Sequence, residues 1–364
     1  MSPVATMKCI IAPSGSSILG YCRKMSSLLD KEILLLDGGL GTTLEDQYGI
    51  KFDATTPLWS SHLLLTDPDT LERAQQQFIK AGVDILLTPT YQASHDGFSR
   101  TIIDGESIDF FEEICQYFDL GVDISRHAFN NRPGVVALSL GAYGATMSPS
   151  QEYGGNYGGM CDERKLEHWH VARIAMYWAS WDKVDVVAFE TIPRLDEVRA
   201  VRTAANVNRH TKVMKPYWVT CVFPNEDNRL PDGSSIEDVV GALFEKREWH
   251  DGIEMLVPWG VGINCTEVQK LPALIKEYEL AAEGLGVQLP RLVIAPNGSK
   301  GQRYDSTTQT WKGDIDDGND WAEQVWEVVK AVKQRGKWEG IVVGGCCKTE
   351  PKDIAKLRQS IDRK

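Results

Sequence analysis

The stretch Asp185-Val-Val-Ala-Phe-Glu190, running on through Thr191-Ile-Pro-Arg194 to Leu195, Val198 and Val201, decides the fold. Its four consecutive apolar residues between two acids suit a strand covered on both faces, which needs no alternation of polar and apolar side chains. The apolar residues that follow at three-residue intervals mark one face of a helix. A strand that ends on a carboxylate and passes at once into a helix is a β-α unit.

Seven more such runs flank it: Ile33 to Asp37, Asp84 to Thr88, Gly134 to Leu140, Tyr217 to Val222, Val261 to Cys265, Arg291 to Ala295 and Gly340 to Gly344. Helical periods fill the gaps, as with Leu71, Ala74 and Phe78, or Ile236, Val239, Val240 and Leu243. Asp67-Pro68 and Thr349-Glu350-Pro351 each supply a cap followed by an early proline, and Gly82 and Gly336 follow helices as stops. The runs begin 30 to 51 residues apart with no linker between them. Eight β-α units in one domain predict an α/β protein, a (β/α)8 TIM barrel over residues 30–364, with residues 1–29 as an extension ahead of it. The rival, an open doubly wound sheet, normally brings an edge reversal and often a phosphate fingerprint. Here Gly39-Leu-Gly41-Thr-Thr-Leu44 lacks the third glycine, and no Walker A sequence occurs.

Composition narrows the function. The chain has 364 residues, 42% hydrophobic and 25% charged, which excludes a disordered, collagenous or small disulfide-stapled protein. Its 39 Lys and Arg against 51 Asp and Glu leave −12, a field that repels phosphate backbones and anionic lipid. The apolar runs fall far short of the roughly 20 residues a membrane helix needs. Neither nucleic acid nor membrane is therefore expected as a partner. Eight cysteines are too sparse for a disulfide framework, which fits a reducing, cytoplasmic setting. Residues 1–29 hold no acid, three bases and six serines, a composition shared by plain extensions and organelle transit peptides.

Barrels of this kind work at the carboxyl ends of their strands. Those ends read Asp37-Gly38-Gly39, Thr88-Pro89-Thr90-Tyr91, Glu190-Thr191, Asn264-Cys265, Pro296-Asn297 and Gly344-Gly345-Cys346-Cys347. Cys265, Cys346 and Cys347 thus meet on one rim. Three thiols with a fourth position open match a catalytic zinc site, whereas a fully ligated ion would be structural. Adjacent residues of a regular strand face opposite ways, so Gly344-Gly345 is expected to let the backbone depart and turn both sulfurs to one ion. The alternatives are three buried cysteines packing as small hydrophobes, or a redox pair. Asp37 and Glu190 close apolar runs, where a lone carboxylate is costly and something cationic should meet it. An arginine or a helix end could serve. So could a bound ammonium group held by Glu190, with Asp37 and the Gly38-Gly39 backbone fixing the rest of a small polar ligand. His168-Trp169-His170 is expected to be exposed or packed, Gly154 to Gly159 to be a flexible flap, and Asp314 to Asp317 to be a solvated loop.

Six segments together resemble the homocysteine S-methyltransferase family. They are Asp37-Gly-Gly-Leu-Gly-Thr42, Pro57-Leu-Trp-Ser60, Thr90-Tyr-Gln-Ala-Ser94, Phe189-Glu-Thr-Ile-Pro193, Gly262-Ile-Asn-Cys265 and Gly344-Gly-Cys-Cys347, within a match spanning Ile33 to Arg358. The resemblance implies a zinc-dependent (β/α)8 barrel with Zn2+ held by Cys265, Cys346 and Cys347, which also makes them the catalytic set. It implies that Glu190 meets the homocysteine amino group and that Asp37, Gly38, Thr88, Thr90 and Asn264 supply further substrate contacts. Pro57-Leu-Trp-Ser60 is more like the branch using S-methylmethionine or S-adenosylmethionine than the betaine-using branch. The chain runs only 17 residues past Cys347, so the long carboxyl-terminal arm of betaine-using relatives is not expected. Gly141-Ala142-Tyr143 departs from the family's more usual Gly-Pro-Tyr, and the turn after Asn297 looks longer than usual. The expected activity is methyl transfer from a sulfonium to homocysteine, giving methionine, by a monomer or weak oligomer with small-molecule partners. A structural or regulatory zinc barrel, or a methyltransferase for another thiol or selenol, is the alternative.

Overall fold

Eight parallel strands carry the architecture: β1 (Ile33–Leu35), β2 (Ile85–Leu87), β3 (Val135–Gly141), β4 (Val186–Ile192), β5 (Tyr217–Cys221), β6 (Gly260–Asn264), β7 (Leu289–Ala295) and β8 (Trp338–Val343). This computed structural model describes residues 28–363 except 54, 161, 208–212, 249–251, 253, 300, 306–309 and 314–319. The Asp314 to Asp317 run and residues 1–27 of the expected extension lie outside the described residues. Leu28 and Leu29 pack against the apolar cluster that holds Leu34 and Leu36.

The strands pair in the order β1-β8-β7-β6-β5-β4-β3-β2, each beside its neighbour in sequence. A bridge between Leu36 and Ile85 closes the ring. Few backbone bonds serve this junction, and two carboxylates take the place of carbonyl acceptors. Asp84 Oδ2 accepts from the Leu35 N–H at 2.9 Å, and Asp37 Oδ2 accepts from the Leu87 N–H at 3.0 Å. Asp37 therefore has a structural duty before it has any chemical one.

Among the described residues nine main helices lie outside: α1 (Leu40–Tyr48), α2 (Pro68–Lys80), α3 (Phe111–Ala128), α4 (Glu163–Ala175), α5 (Leu195–Ala205), α6 (Ile236–Phe244), α7 (Leu271–Leu285), α8 (Trp321–Arg335) and α9 (Pro351–Asp362). The expected caps are present. Asp67 accepts from the Thr70 N–H, Glu350 and Asp353 form a reciprocal box, and Gly336 ends α8 with φ +60. None of the described helices is long and apolar enough to cross a membrane.

Alternation along the strands sorts the core. Leu34, Leu36, Val135, Ala137, Val186, Ala188, Trp218, Val293 and Val342 pack together inside the barrel, while Leu35, Val136, Leu138, Val187 and Phe189 join the layer under the helices. Ser139 and Glu190 continue the inward parity of Val135-Ala137 and Val186-Ala188, and so stand at the top of the interior.

Candidate active site

A cavity of about 350 Å³ opens at the carboxyl ends of the strands. Its wall includes Asp37, Gly38, Thr88, Glu190, Asn264 and the three rim cysteines. Cys265, Cys346 and Cys347 place their sulfurs within 4.8 Å of one another. The Cys346 and Cys347 sulfurs are 3.9 Å apart. Two thiolates at corners of a tetrahedron with zinc–sulfur bonds of about 2.3 Å would be separated by about 3.8 Å, so this edge fits the ion as it stands. The Cys265 and Cys346 sulfurs touch each other as a disulfide pair, with Cα atoms 5.5 Å apart, and Cys347 is a free thiol. The pair joins β6 to β8 rather than the two adjacent cysteines.

The adjacent cysteines face one point because β8 ends at Val343 and the chain then turns. Neighbouring loops hold this turn on both sides. Cys346 N–H donates to the Pro296 carbonyl at 2.9 Å, Gly298 N–H to the Cys347 carbonyl at 2.8 Å, and Gly345 N–H to the Asp37 carbonyl at 2.9 Å. Gly344 and Gly345 serve differently from expectation. Neither has a positive φ; the left-handed residue of the turn is Lys348, at φ +61. What glycine supplies is room, because a Cβ on Gly344 would stand 2.6 Å from the Asp37 carbonyl oxygen and one on Gly345 would strike the Thr349 side chain.

Beside the sulfurs, at the ends of β4 and β6, Thr191 at φ +60 and Cys265 at φ +49 are left-handed as well. They touch: Thr191 Oγ1 lies 3.6 Å from Cys265 Sγ. A register shift between Phe189 and Ile192 accompanies the first, as a bulge that re-aims side chains at a strand end. Asn264 braces both residues. Its Oδ1 accepts from the Thr191 N–H at 2.8 Å, and its Nδ2 donates to Thr191 Oγ1 at 2.7 Å and toward Cys265 Sγ at 3.5 Å. Its amide is thus engaged by Thr191 and Cys265, while the residue itself lines the cavity where a substrate contact is expected.

Glu190 is 9% exposed and accepts a 2.7 Å hydrogen bond from Ser139 Oγ. Burial pushes its carboxyl up to about 7. Asp37 is likewise raised, first by burial and further by the nearby Glu190, and its Oδ1 is buried without a partner. Two carboxyls at one mouth, one with an orphaned oxygen, fit a cationic ligand. Thr88 borders the cavity, but Thr90 does not. The Thr90 hydroxyl donates to the Ser139 carbonyl and lies 2.6 Å from Thr88 Oγ1, which accepts from the Ser139 N–H. Thr90 holds Thr88 and β3 in place from behind the cavity wall.

The Cys347 thiol is pushed up to about 12 by burial. A thiol in this pocket keeps its proton at neutral pH unless a metal takes the sulfur. With the Cys265–Cys346 pair reduced, the three sulfurs make a soft thiolate donor set that suits zinc.

The loop expected to be a flexible flap is tethered through the buried Gly155 and Tyr157, while Gly154, Asn156, Gly158 and Gly159 are exposed. His170 Nε2, the Tyr143 N–H and the Tyr157 hydroxyl all donate to the fully buried Glu197 of α5, at 2.9, 2.6 and 2.6 Å. His168 is exposed and His170 buried, so that pair divides between the two expected fates. Arg173 on α4 donates to the carbonyls of Ala93, Gly141, Thr90 and Tyr91, tying the β2 loop to the end of β3. The stretch between β3 and α4 brings Glu152 and Tyr153 to the cavity wall, and sequence reasoning missed both. One signal was present: Glu152 is the sole charged residue between Tyr143 and Met160.

A family model described as homocysteine S-methyltransferase matches residues 34–361. Homocysteine S-methyltransferase 1 of Arabidopsis thaliana is 28% identical over 362 residues, covering 94% of this chain and 99% of its own. Selenocysteine Se-methyltransferase of Brassica oleracea var. italica is 29% identical, covering 90% and 88%. Homocysteine S-methyltransferase of Escherichia coli (strain K12) is 26% identical, covering 92% and 97%. The solved homocysteine methyltransferase MmuM from Escherichia coli, in its metallated form, superposes with a TM-score of 0.68 at 24% identity over 92% of this chain and 99% of that one, a likeness of fold.

Proposed function

From the premise that the chain belongs to the homocysteine S-methyltransferase family, we propose that it transfers a methyl group from a sulfonium donor, S-methylmethionine or S-adenosylmethionine, to the thiolate of L-homocysteine, giving methionine. The observation that carries this reading is the gathering of three sulfurs within 4.8 Å at a cavity mouth that also holds Glu190. Cys265, Cys346 and Cys347 would hold Zn2+. When bound, the ion supplies a means of keeping the acceptor sulfur as a thiolate at neutral pH.

The chain's own groups do the rest. Glu190, aimed by Ser139, receives the homocysteine ammonium, and Asp37 offers its unpartnered Oδ1 to the same end of the ligand. Both carboxyls are raised by burial, so a cation entering between them draws them into the charged form. Asn264 and Thr191 hold Cys265 in its left-handed conformation and hydrogen-bond its sulfur, fixing the aim of that ligand. The homocysteine sulfur supplies the electron pair for the new sulfur–carbon bond, and the donor's sulfur–methyl bond breaks with its pair returning to the donor sulfur. The positive charge disappears in that step, so a site biased toward negative charge favours the sulfonium over the neutral thioether it leaves.

The competing reading, a structural zinc site, needs four protein ligands. Among the described residues the cluster contains three. The relative named for selenocysteine keeps a second acceptor in view, to be separated by competition between the two acceptors. Small-molecule partners, a cytoplasmic working place and a monomer or weak oligomer complete the proposal, supported by the acidic balance and by chemistry that needs reduced sulfur. Metal analysis of the purified protein, with homocysteine assayed in parallel against S-methylmethionine, S-adenosylmethionine and betaine, tests it. Zinc near one per chain with methionine formed from a sulfonium is expected; a metal-free protein with undiminished turnover would overturn it.

A further inference from the structure

We propose that Glu152 is the donor-recognition residue, its carboxylate facing the sulfonium sulfur of the methyl donor. This rests on the function proposed above and adds to it the residue that reads the donor's charge.

Four observations carry it. Glu152 lines the cavity yet is only 6% exposed, and its Oε2 is buried with no partner. Its other bonds come from the Ser150 hydroxyl and its own backbone, and no ion pair joins it to a described residue. A buried carboxylate of this kind is unfavourable until something cationic stands against it. Its place is fixed rather than incidental. Gln151 N–H donates to the Gly144 carbonyl at 2.8 Å, Gly155 N–H donates back to the Gln151 carbonyl at 2.7 Å, and Arg194 Nη1 donates to the Gly155 carbonyl at 2.9 Å. Gly144 allows the close approach, since a Cβ there would lie 2.7 Å from the Gln151 carbonyl carbon.

The location selects the sulfonium over the donor's ammonium. Glu152 interacts electrostatically with Cys347 and Tyr91, and the next side chain, Tyr153, hydrogen-bonds Cys347. The transferred methyl must arrive beside those sulfurs, with reacting atoms about 3–3.5 Å apart. In S-methylmethionine the ammonium sits three carbons from the sulfonium, away from that point. Glu190 and Asp37 are already assigned to the homocysteine ammonium. Glu152 is left as the carboxylate for the second substrate.

The test separates charge from shape. With homocysteine saturating and the enzyme zinc-loaded, one measures kcat/KM for S-methylmethionine and the competitive Ki of 2-amino-5-methylhexanoate, in which CH replaces S+ and the ammonium and carboxylate remain. For Glu152→Gln, kcat/KM for the donor should fall at least about tenfold while Ki for the neutral isostere and KM for homocysteine stay within about twofold. Glu152→Asp should recover part of the loss, and zinc content with thermal melting verifies that both variants fold. Equal weakening of donor and isostere would overturn the proposal, as would no change in either. If the wild type forms no methionine from any sulfonium, the proposed function itself fails, a result distinct from these.

Discussion

Ser139 and Glu190 show how much one hydroxyl decides at this mouth. The carboxyl is buried, raised to about 7 and aimed by a single 2.7 Å bond, so near neutral pH it is only partly ionised before substrate arrives. Homocysteine kcat/KM should therefore rise as pH climbs through about 7, and in Glu190→Gln the part of that rise due to this carboxyl should vanish, with KM increased at least about tenfold. Parallel pH profiles of the two proteins check this; superimposable curves would remove Glu190 from the binding site. Replacing Cys265, Cys346 or Cys347 by Ala should each abolish zinc retention and turnover together, measured by metal analysis and methionine formation. Full activity in any of the three would refute the ligand assignment. The cysteines, Asp37 and Glu190 were legible because each closes an apolar run, and a charge or thiol at a strand end has few other reasons to be there. Ser139 was half legible, being a polar residue at the inward parity of Val135 and Ala137. Asn264 and Thr90 were read as reaching a ligand; their hydrogen-bonding atoms turn out to be engaged with Thr191, Cys265, Thr88 and Ser139, which depends on which strands lie adjacent.

Among elements, the loop between β3 and α4 is the one whose character changed most between sequence and structure. Six residues of Gly154 to Gly159 include four glycines and read as flexible, yet Glu197 anchors both ends of the loop by accepting from Tyr143 and Tyr157, with His170 completing the set. Burial pushes His170 down, so it donates from Nε2 as a neutral ring. Glu197→Ala would leave three buried donors without an acceptor. It should lower unfolding free energy by about 3–5 kcal/mol by chemical denaturation, and it should damage donor kinetics more than homocysteine binding because Glu152 rides on the loop. A stability loss with unchanged donor kinetics would uncouple the anchor from the site. The glycines conveyed freedom, whereas the packing that removes it comes from α5, a helix beginning 36 residues after Gly159. By contrast, strand and helix spans were readable almost throughout, since period and caps act within a few residues. The turn after Asn297 is long for a visible reason: it carries the hairpin Arg303–Asp305 with Thr310–Lys312.

At the scale of the whole molecule, the barrel gathers raised carboxyls that would repel one another if all were charged. Glu190 and Glu152 move from 4.5 to about 7 on burial, so the folded protein holds protons there that the unfolded chain releases. The native state binds more protons in that interval, and stability must fall as pH rises from about 4.5 through about 7, by at most about 3 kcal/mol per carboxyl. Denaturation of the metal-free protein across this range, with Glu152→Gln and Glu190→Gln alongside, checks it; the variants should show a shallower decline, and equal slopes would contradict the assigned shifts. What the sequence by itself determined was the set of β-α units, their order around a barrel and the rim on which three cysteines and two carboxylates stand. Those follow from hydrophobic period and capping, which are local properties carried by neighbouring residues. Only the tertiary structure decided that Gly344 and Gly345 are there for space, that Asn264 braces Thr191 and Cys265, and that Glu152 lines the cavity with one carboxyl oxygen unpartnered. Each of these depends on what another part of the chain places within a few ångströms, and such contacts between distant segments exist only once the ring has closed.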